Sequence, residues 1–361
     1  MIKLIHICAL LCLLIPTTVH GSSEFVRIER FSDHILMGFW LGTGRTNFVA
    51  IKSQKGLVII DTEMSPRIMA PIKKRLENTF GRNDWAYVIN THAHMHHAGS
   101  NCLFKDAVII GHDNLPADMQ WLIDKQVDQT LKRRDLENNA RTIRNLKALL
   151  PKVTDNRLLT KRILGEIKFF ELNTQDIKEG FEIVKPTVTF SDKYTLDLGD
   201  LKLELIYFGK GHSLSDILIY IPKERTLVTG AIVYQSGHLP GITENAELKD
   251  VHRYISVLDS LLDKNIKLDH VIASHSPVLT RNHLKLVRDY YREMLDGIKA
   301  AQQKGITLEQ AKKDFAVHKK FPHYFQLRAA QWAKAKQDRN IRVLWQRLKE
   351  AEQPSKTEKK D

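Results

Sequence analysis

Residues 85–99 read Trp-Ala-Tyr-Val-Ile-Asn-Thr-His-Ala-His-Met-His-His-Ala-Gly. The first six (WAYVIN) form a short apolar run of the kind that makes a buried strand. A histidine-rich segment follows at once, with His92, His94, His96 and His97 inside six positions. In an extended segment His92 and His94 point to the same side. A turn into a helix at Ala98–Gly99 brings His96 or His97 round to the same centre. Neutral imidazole is the commonest metal ligand. Its borderline softness suits zinc, and iron or manganese are also accepted. A solvated surface cluster of histidines is the plain alternative, and the position directly after a buried strand argues against it.

Working outward, residues 25–61 read as successive strands, with FVAIKSQKGLVIIDT holding two β-rich runs around a Ser53–Gly56 turn. Residues 66–80 have helical periodicity, with Pro66 at the start and Gly81 after the end. Residues 106–112 (DAVIIGH) are a further strand, so strands and helices alternate in α/β layers. Residues 116–180 differ. They are polar and helical, one helix over 118–150 ended by Pro151 and a second over 157–172, and read as an insertion between two halves of an α/β core. Strands return over 186–234, and amphipathic helices at 247–263 and 281–304 flank a strand at 269–274 (DHVIAS). Two more histidines follow strands: His212 in Gly211-His212-Ser213 after LELIYF, and His275 after DHVIAS. Strand and then histidine, three times, is the pattern of an α/β protein gathering its chemistry at the carboxyl ends of strands.

The 361 residues are 43% hydrophobic and 27% charged, which excludes collagen-like, disordered and coiled-coil chains. The formal charge of +13 suits anionic partners such as nucleic acid, a membrane surface or acidic substrates, and equally a solvated exported protein. We favour the second reading, because no nucleic-acid module is recognisable. No apolar run reaches spanning length. Lys3, the apolar residues 4–16 and the small-residue site Val19-His20-Gly21 form a signal peptide over residues 1–21, so a periplasmic or secreted product is expected, without stable membrane insertion after cleavage. Cleavage leaves Cys102 as the single cysteine, a buried thiol near the histidine cluster. The expected organisation is a core over 22–280 with its insertion at 116–180, C-terminal helices over 281–350, and a polar tail over 351–361. Trp332, Ile341, Leu344, Trp345 and Leu348 fall near one face of the last helix and dock it on the core.

Thr91-His92-x-His94-x-x-His97, the later Gly211-His212-Ser213 and His275 at a strand end together resemble the metallo-β-lactamase-fold hydrolases. Val58-Ile59-Ile60-Asp61 and the strand RTLVTGAIVY agree with that family, and the likeness spans about residues 30–280. The resemblance implies an αββα sandwich with a metal site at one edge of two sheets. It implies His92, His94 and His212 as ligands of a first ion, and His97 and His275 as ligands of a second. Two positions depart from the family pattern. His96 stands where the family has an aspartate, and Ala231 where many members have Asp or Cys. Histidine can ligate but brings no negative charge, so the second ion is expected to be held more weakly.

An open zinc site with three protein ligands is catalytic in type and makes hydroxide available near neutral pH. Asp61 is read as an anchor for a ligand histidine, or as a plain turn residue. His112 could line the pocket, and Tyr234, His238 and His252 have weaker claims. The function expected is an exported zinc-dependent hydrolase acting on an ester, lactone, amide or β-lactam-like bond of a small-molecule substrate. The alternative is a metal-binding or interaction protein that kept the fold and lost turnover, for which His96 and Ala231 speak. The oligomeric state is left open.

Overall fold

Period-two alternation of apolar residues builds two sheets. The computed structural model describes residues 19–22, 26–40, 46–235, 238–324 and 330–352. Most of the expected signal peptide and the tail beyond residue 352 lie outside them. Strands β1 (Val19–Ser22), β2 (Val26–Arg30), β3 (Ile35–Trp40), β4 (Phe48–Ser53), β5 (Gly56–Ile60), β6 (Trp85–Ile89), β7 (Val108–His112) and β8 (Val188–Phe190) pair in chain order into one sheet. Strands β9 (Lys193–Asp197), β10 (Lys202–Gly209), β11 (Asp216–Ile221), β12 (Thr226–Val228) and β13 (His270–Ile272) form the second, in the reverse order. The turn at Ser53–Gly56 closes the β4–β5 hairpin that the sequence suggests.

Alternate residues face opposite layers. Ile35, Met37, Val49, Ile51, Val58 and Ile60 point inward to meet Leu203, Leu205, Ile217 and Ile219 of the second sheet. Leu36, Phe48, Ala50, Leu57 and Ile59 point outward against Ile68, Met69, Ile72 and Leu76 of helix α1 (Pro66–Phe80). Phe208, Leu218 and Leu227 on the far face of the second sheet pack on the helices that close the chain. Burying each such side chain contributes roughly 1.5–3 kcal/mol before entropy is counted. The result is the αββα sandwich expected from the sequence.

The parallel steps β5–β6–β7–β8 need crossovers. Helix α1 makes the first and α2 (Met95–Ala98), built from the histidine motif, lies in the second. The third contains α3 (Leu115–Asp118), α4 (Gln120–Val127), α5 (Gln129–Leu149) and α6 (Arg157–Glu179). These helices connect two neighbouring strands of one sheet rather than two halves of the core, which corrects the sequence reading. The single helix expected over 118–150 is divided, because Asp128 turns its carboxylate back to accept from the Thr130 and Leu131 amides and caps a new helix. Helix α6 reaches the outer face of the first sheet through Phe169, whose ring meets Trp40 edge-on at 4.9 Å.

Helix α7 (Leu248–Leu261) crosses from β12 to β13 and packs with α8 (Arg281–Gln303). Helices α9 (Leu308–Asp314), α10 (Val317–Lys320) and α11 (Ala330–Glu352) follow. Ile341, Leu344, Trp345 and Leu348 of α11 are buried against this layer. Asn340 donates to the Pro240 carbonyl and to the Tyr290 hydroxyl. Trp332 departs from the expectation: it is 48% exposed and lies at the rim. Among the described residues no helix is long and apolar enough to cross a membrane.

Candidate metal centre

The chain leaves β5 through a strained step. Asp61 and Glu63 take positive φ angles of 65° and 67°, a region costly for residues with a Cβ and found where surroundings enforce it. The strain turns the Asp61 carboxylate toward the end of β6. There it accepts from the Thr91 amide at 2.8 Å and from the Thr91 hydroxyl at 2.9 Å. Its Oδ2 also lies 2.6 Å from Nδ1 of His97. With Nδ1 engaged, Nε2 of His97 is buried and has no hydrogen-bond partner. The His97 backbone is fixed as well, its carbonyl accepting from the Thr62 amide and from Asn90 Nδ2.

His92 presents Nδ1 to the Thr91 hydroxyl at 3.0 Å and Nε2 to His94 Nδ1 at 3.1 Å. Nε2 of His212 lies 3.0 Å from the same His94 nitrogen. One hydrogen cannot bridge both contacts, and neutral imidazoles that aim lone pairs at one another repel. A cation at their centre removes that conflict, so the donor set fits a metal ion. Ligand atoms of His92, His94 and His212 lie within 4.8 Å of one another, and so do those of His92, His96 and His97. The His275 ring is centred 5.3 Å from that of His96 and 5.7 Å from that of His97.

The turn carrying His212 is held by Asp216, which opens β11. Its carboxylate accepts from the amides of His212 at 2.5 Å and Ser213 at 2.9 Å, and from the Ser213 hydroxyl at 2.8 Å. Asp118, at the end of α3, accepts from the Leu214 amide and the Ser215 hydroxyl. The insertion therefore touches the metal-site turn at its first helix.

Burial holds His92, His97 and His212 well below the ordinary imidazole range, and neighbouring imidazoles add to the effect. Burial lowers His94 too, against the pull of Asp118. Neutral rings are the ligating form. Burial pushes the Asp61 carboxyl up to about 8, while the Thr91 donors pull it back. A cation next to His97 works in the same direction as those donors, favouring the carboxylate.

Asp61 and the six histidines expected as metal ligands meet at this edge of the sandwich. His112 does not join them: its Nε2 donates to the Ser191 carbonyl and its ring stacks on Tyr207 at 3.5 Å. Cys102 is half-buried and belongs to neither ligand group. His252 is exposed, while Tyr234 stacks between His238 and His275 at 5.0 and 6.1 Å. Ala231 is buried and offers no ligand atom. Sequence reading missed Asp216, Thr91 and Asp118. The acid four residues after His212 in Gly-His-Ser-Leu-Ser-Asp was the available signal for the first.

Four layers, with imidazoles gathered at the ends of strands and backed by a buried carboxylate, define a metallohydrolase fold. The chain belongs to the metallo-beta-lactamase superfamily, whose family model matches residues 41–275. Among solved structures, it is similar to a double mutant of the sec-alkyl sulfatase PisA1 (TM-score 0.59, 15% identity, covering 89% of this chain and 50% of that one). The stereoselective inverting sec-alkylsulfatase Pisa1 from Pseudomonas sp. gives a TM-score of 0.56 at 15% identity, with the same 89% and 50% coverage. A metallo-beta-lactamase from Pontibacter korlensis matches at a TM-score of 0.45 and 14% identity, over 77% of this chain and 99% of that one. These likenesses are of fold, and the chain spans half the length of the alkylsulfatase it matches.

Proposed function

We propose that this protein is an exported zinc-dependent hydrolase acting on an ester, lactone, amide, β-lactam-like or sulfate-ester bond of a small molecule. The observation that carries the reading is His97, whose Nδ1 is held by Asp61 while its buried Nε2 faces the histidine cluster without a partner. When bound, zinc supplies a Lewis acid and makes hydroxide available near neutral pH. His92, His94 and His212 would hold the first ion, and His96, His97 and His275 the second. Asp61 keeps the His97 proton on Nδ1, which leaves Nε2 free to ligate. Asp216 fixes the His212 turn. Iron or manganese would suit the same imidazole set.

Elemental analysis and turnover test the reading together. Zinc-loaded protein is expected to hydrolyse at least one member of a panel of esters, lactones, lactams and sulfate esters. Sulfate esters are included because a sec-alkylsulfatase shares the fold. His94→Ala is expected to lose the first ion at micromolar free zinc, and a full equivalent retained by that variant rejects the ligand assignment. Bound zinc with no turnover anywhere on the panel favours the second reading, a metal-binding protein without catalysis, which the non-acidic His96 and Ala231 support. Export is tested by intact mass, with Ser22 expected as the first residue of exported material.

A further inference from the structure

We propose that Lys336 of α11, with Trp332 and Tyr234, forms a subsite beside the metal centre that holds an oxyanion, a carboxylate or a sulfate-like group, carried by the substrate. The proposal rests on the hydrolase reading for the word substrate, and on the placement of one cation for the rest. Helix α11 docks on the outer helical layer and directs Lys336 back toward the turn that carries His212. Gly241 lies between the two. A Cβ there would lie 3.3 Å from Lys336 Cε, 3.6 Å from Nζ and 3.1 Å from the Gly211 carbonyl oxygen. The side chain thus ends across Gly241 from the residue before His212.

The surroundings of the ammonium are aromatic. Nζ lies 4.9 Å from the Trp332 ring centre and 5.8 Å from that of Tyr234. Tyr234 in turn stacks over His275. Among the described residues Lys336 makes no ion pair, whereas Lys334 on the same helix pairs with Asp338 at 2.6 Å. Burial, aided by the charge of Arg339, pushes Lys336 down to about 7, and Asp216 only partly opposes this. A lysine whose ammonium form burial disfavours, with no carboxylate in ion-pair contact, stays charged only when a counter-charge reaches it. An anionic ligand group supplies it. The two rings give flat walls for the apolar body next to that group.

Thiols that anchor on zinc separate charge from the rest of binding. The probes are 3-mercaptopropionate, 2-mercaptoethanesulfonate and the neutral 3-mercaptopropionamide, titrated by calorimetry into zinc-loaded wild type, Lys336→Met and Lys336→Arg. In the wild type at least one anionic probe is expected to bind about tenfold or more tighter than the amide, the scale of a charge-assisted hydrogen bond. The anion with the larger gap identifies the group. The gap is expected to close in Lys336→Met and survive in Lys336→Arg, with amide affinity and zinc content equal in all three. An equal gap in wild type and Lys336→Met overturns the proposal. So does a loss in Lys336→Met that weakens the amide as much as the anions, or a failure of every probe to bind. A charge-dependent gap in a protein that turns over no substrate upholds the subsite and sinks the hydrolase reading alone.

Discussion

His97 is oriented from one side and open on the other, and the orienting residue is Asp61. The carboxylate takes two donors from Thr91 and faces Nδ1 of His97, so it couples the ends of β5 and β6 to one ligand. Asn at this position tolerates positive φ and keeps an acceptor oxygen, but loses the charge. Asp61→Asn is therefore expected to fold and to lose metal affinity by about 10–100-fold, the usual effect of removing a partner that orients a ligand. Competition with a chelator measures it, and an unchanged affinity would reduce Asp61 to a turn residue. His96 raises the opposite question. Its ring lies 4.4 Å from that of His97 and 5.3 Å from that of His275, so the second ligand set we propose is all imidazole. Two nearby cations repel, and a carboxylate offsets that repulsion where an imidazole does not. His96→Asp is expected to tighten the second zinc by about 1–3 kcal/mol, on the scale of interactions with charged groups. Calorimetric titration of both forms decides it. Two equally tight sites in the wild type, unchanged by the substitution, would mean that the imidazole set is already sufficient.

At the scale of elements, the centre depends on α2 lying backbone-on-backbone against the loop after β5. The Thr62 amide donates to the His97 carbonyl, and the Ser100 amide to the Glu63 carbonyl. Gly99 permits the contact: a Cβ there would lie 2.1 Å from the Met64 carbonyl oxygen and 2.7 Å from that of Met95. Neither atom can rotate away, so Gly99→Ala must shift the backbone next to His97. The expected cost is about 1–3 kcal/mol with weakened zinc binding, read by denaturant melts and metal titration on one sample. A variant as stable and as zinc-avid as the wild type would show that the loop yields freely. The same elements show what sequence can and cannot carry. Alternation in FVAIKSQKGLVIIDT, the helix that starts at Pro66 and stops before Gly81 and the strand-then-histidine pattern are local signals, and each has its counterpart in the structure. The break at Asp128 was not legible, because a capping aspartate inside a polar helical run resembles a surface residue. Nor was the placement of Lys336 on α11. Periodicity tells which residues face inward, but not that Lys336 lies opposite a turn more than a hundred positions earlier. Asp216 fell between these cases, close to His212 in sequence yet recognisable only through the three donors it accepts.

At the scale of the whole molecule, the centre makes stability depend on pH, and the sign follows from which state binds more protons. In the metal-free protein, His92, His94, His97 and His212 are held below their ordinary value of 6.5. As pH falls through 6.5 the unfolded chain takes up protons that the folded chain refuses, so these groups withdraw stability on the acid side. Two buried carboxyls act the other way. Asp61 is raised to about 8 and Asp216 to about 6, so in the folded state they hold protons that unfolded carboxyls have already released at their ordinary 3.8. Their contribution is full below 3.8 and is lost as pH rises through those values. Between about pH 6.5 and 5, four imidazoles oppose two carboxyls, and the imidazoles prevail. The metal-free protein is therefore expected to lose stability across that window. Zinc adds a term, because an ion bound only by the folded state stabilises it by RT ln(1 + [L]/Kd), and acid discharges the ion by protonating its ligands. The loaded protein should thus begin higher and fall more steeply, converging on the metal-free curve as the ion leaves. Denaturant titrations of both forms across the window provide the check. A metal-free protein equally or more stable at the acid end would place the carboxyls in control and contradict the picture of buried, neutral, metal-ready histidines.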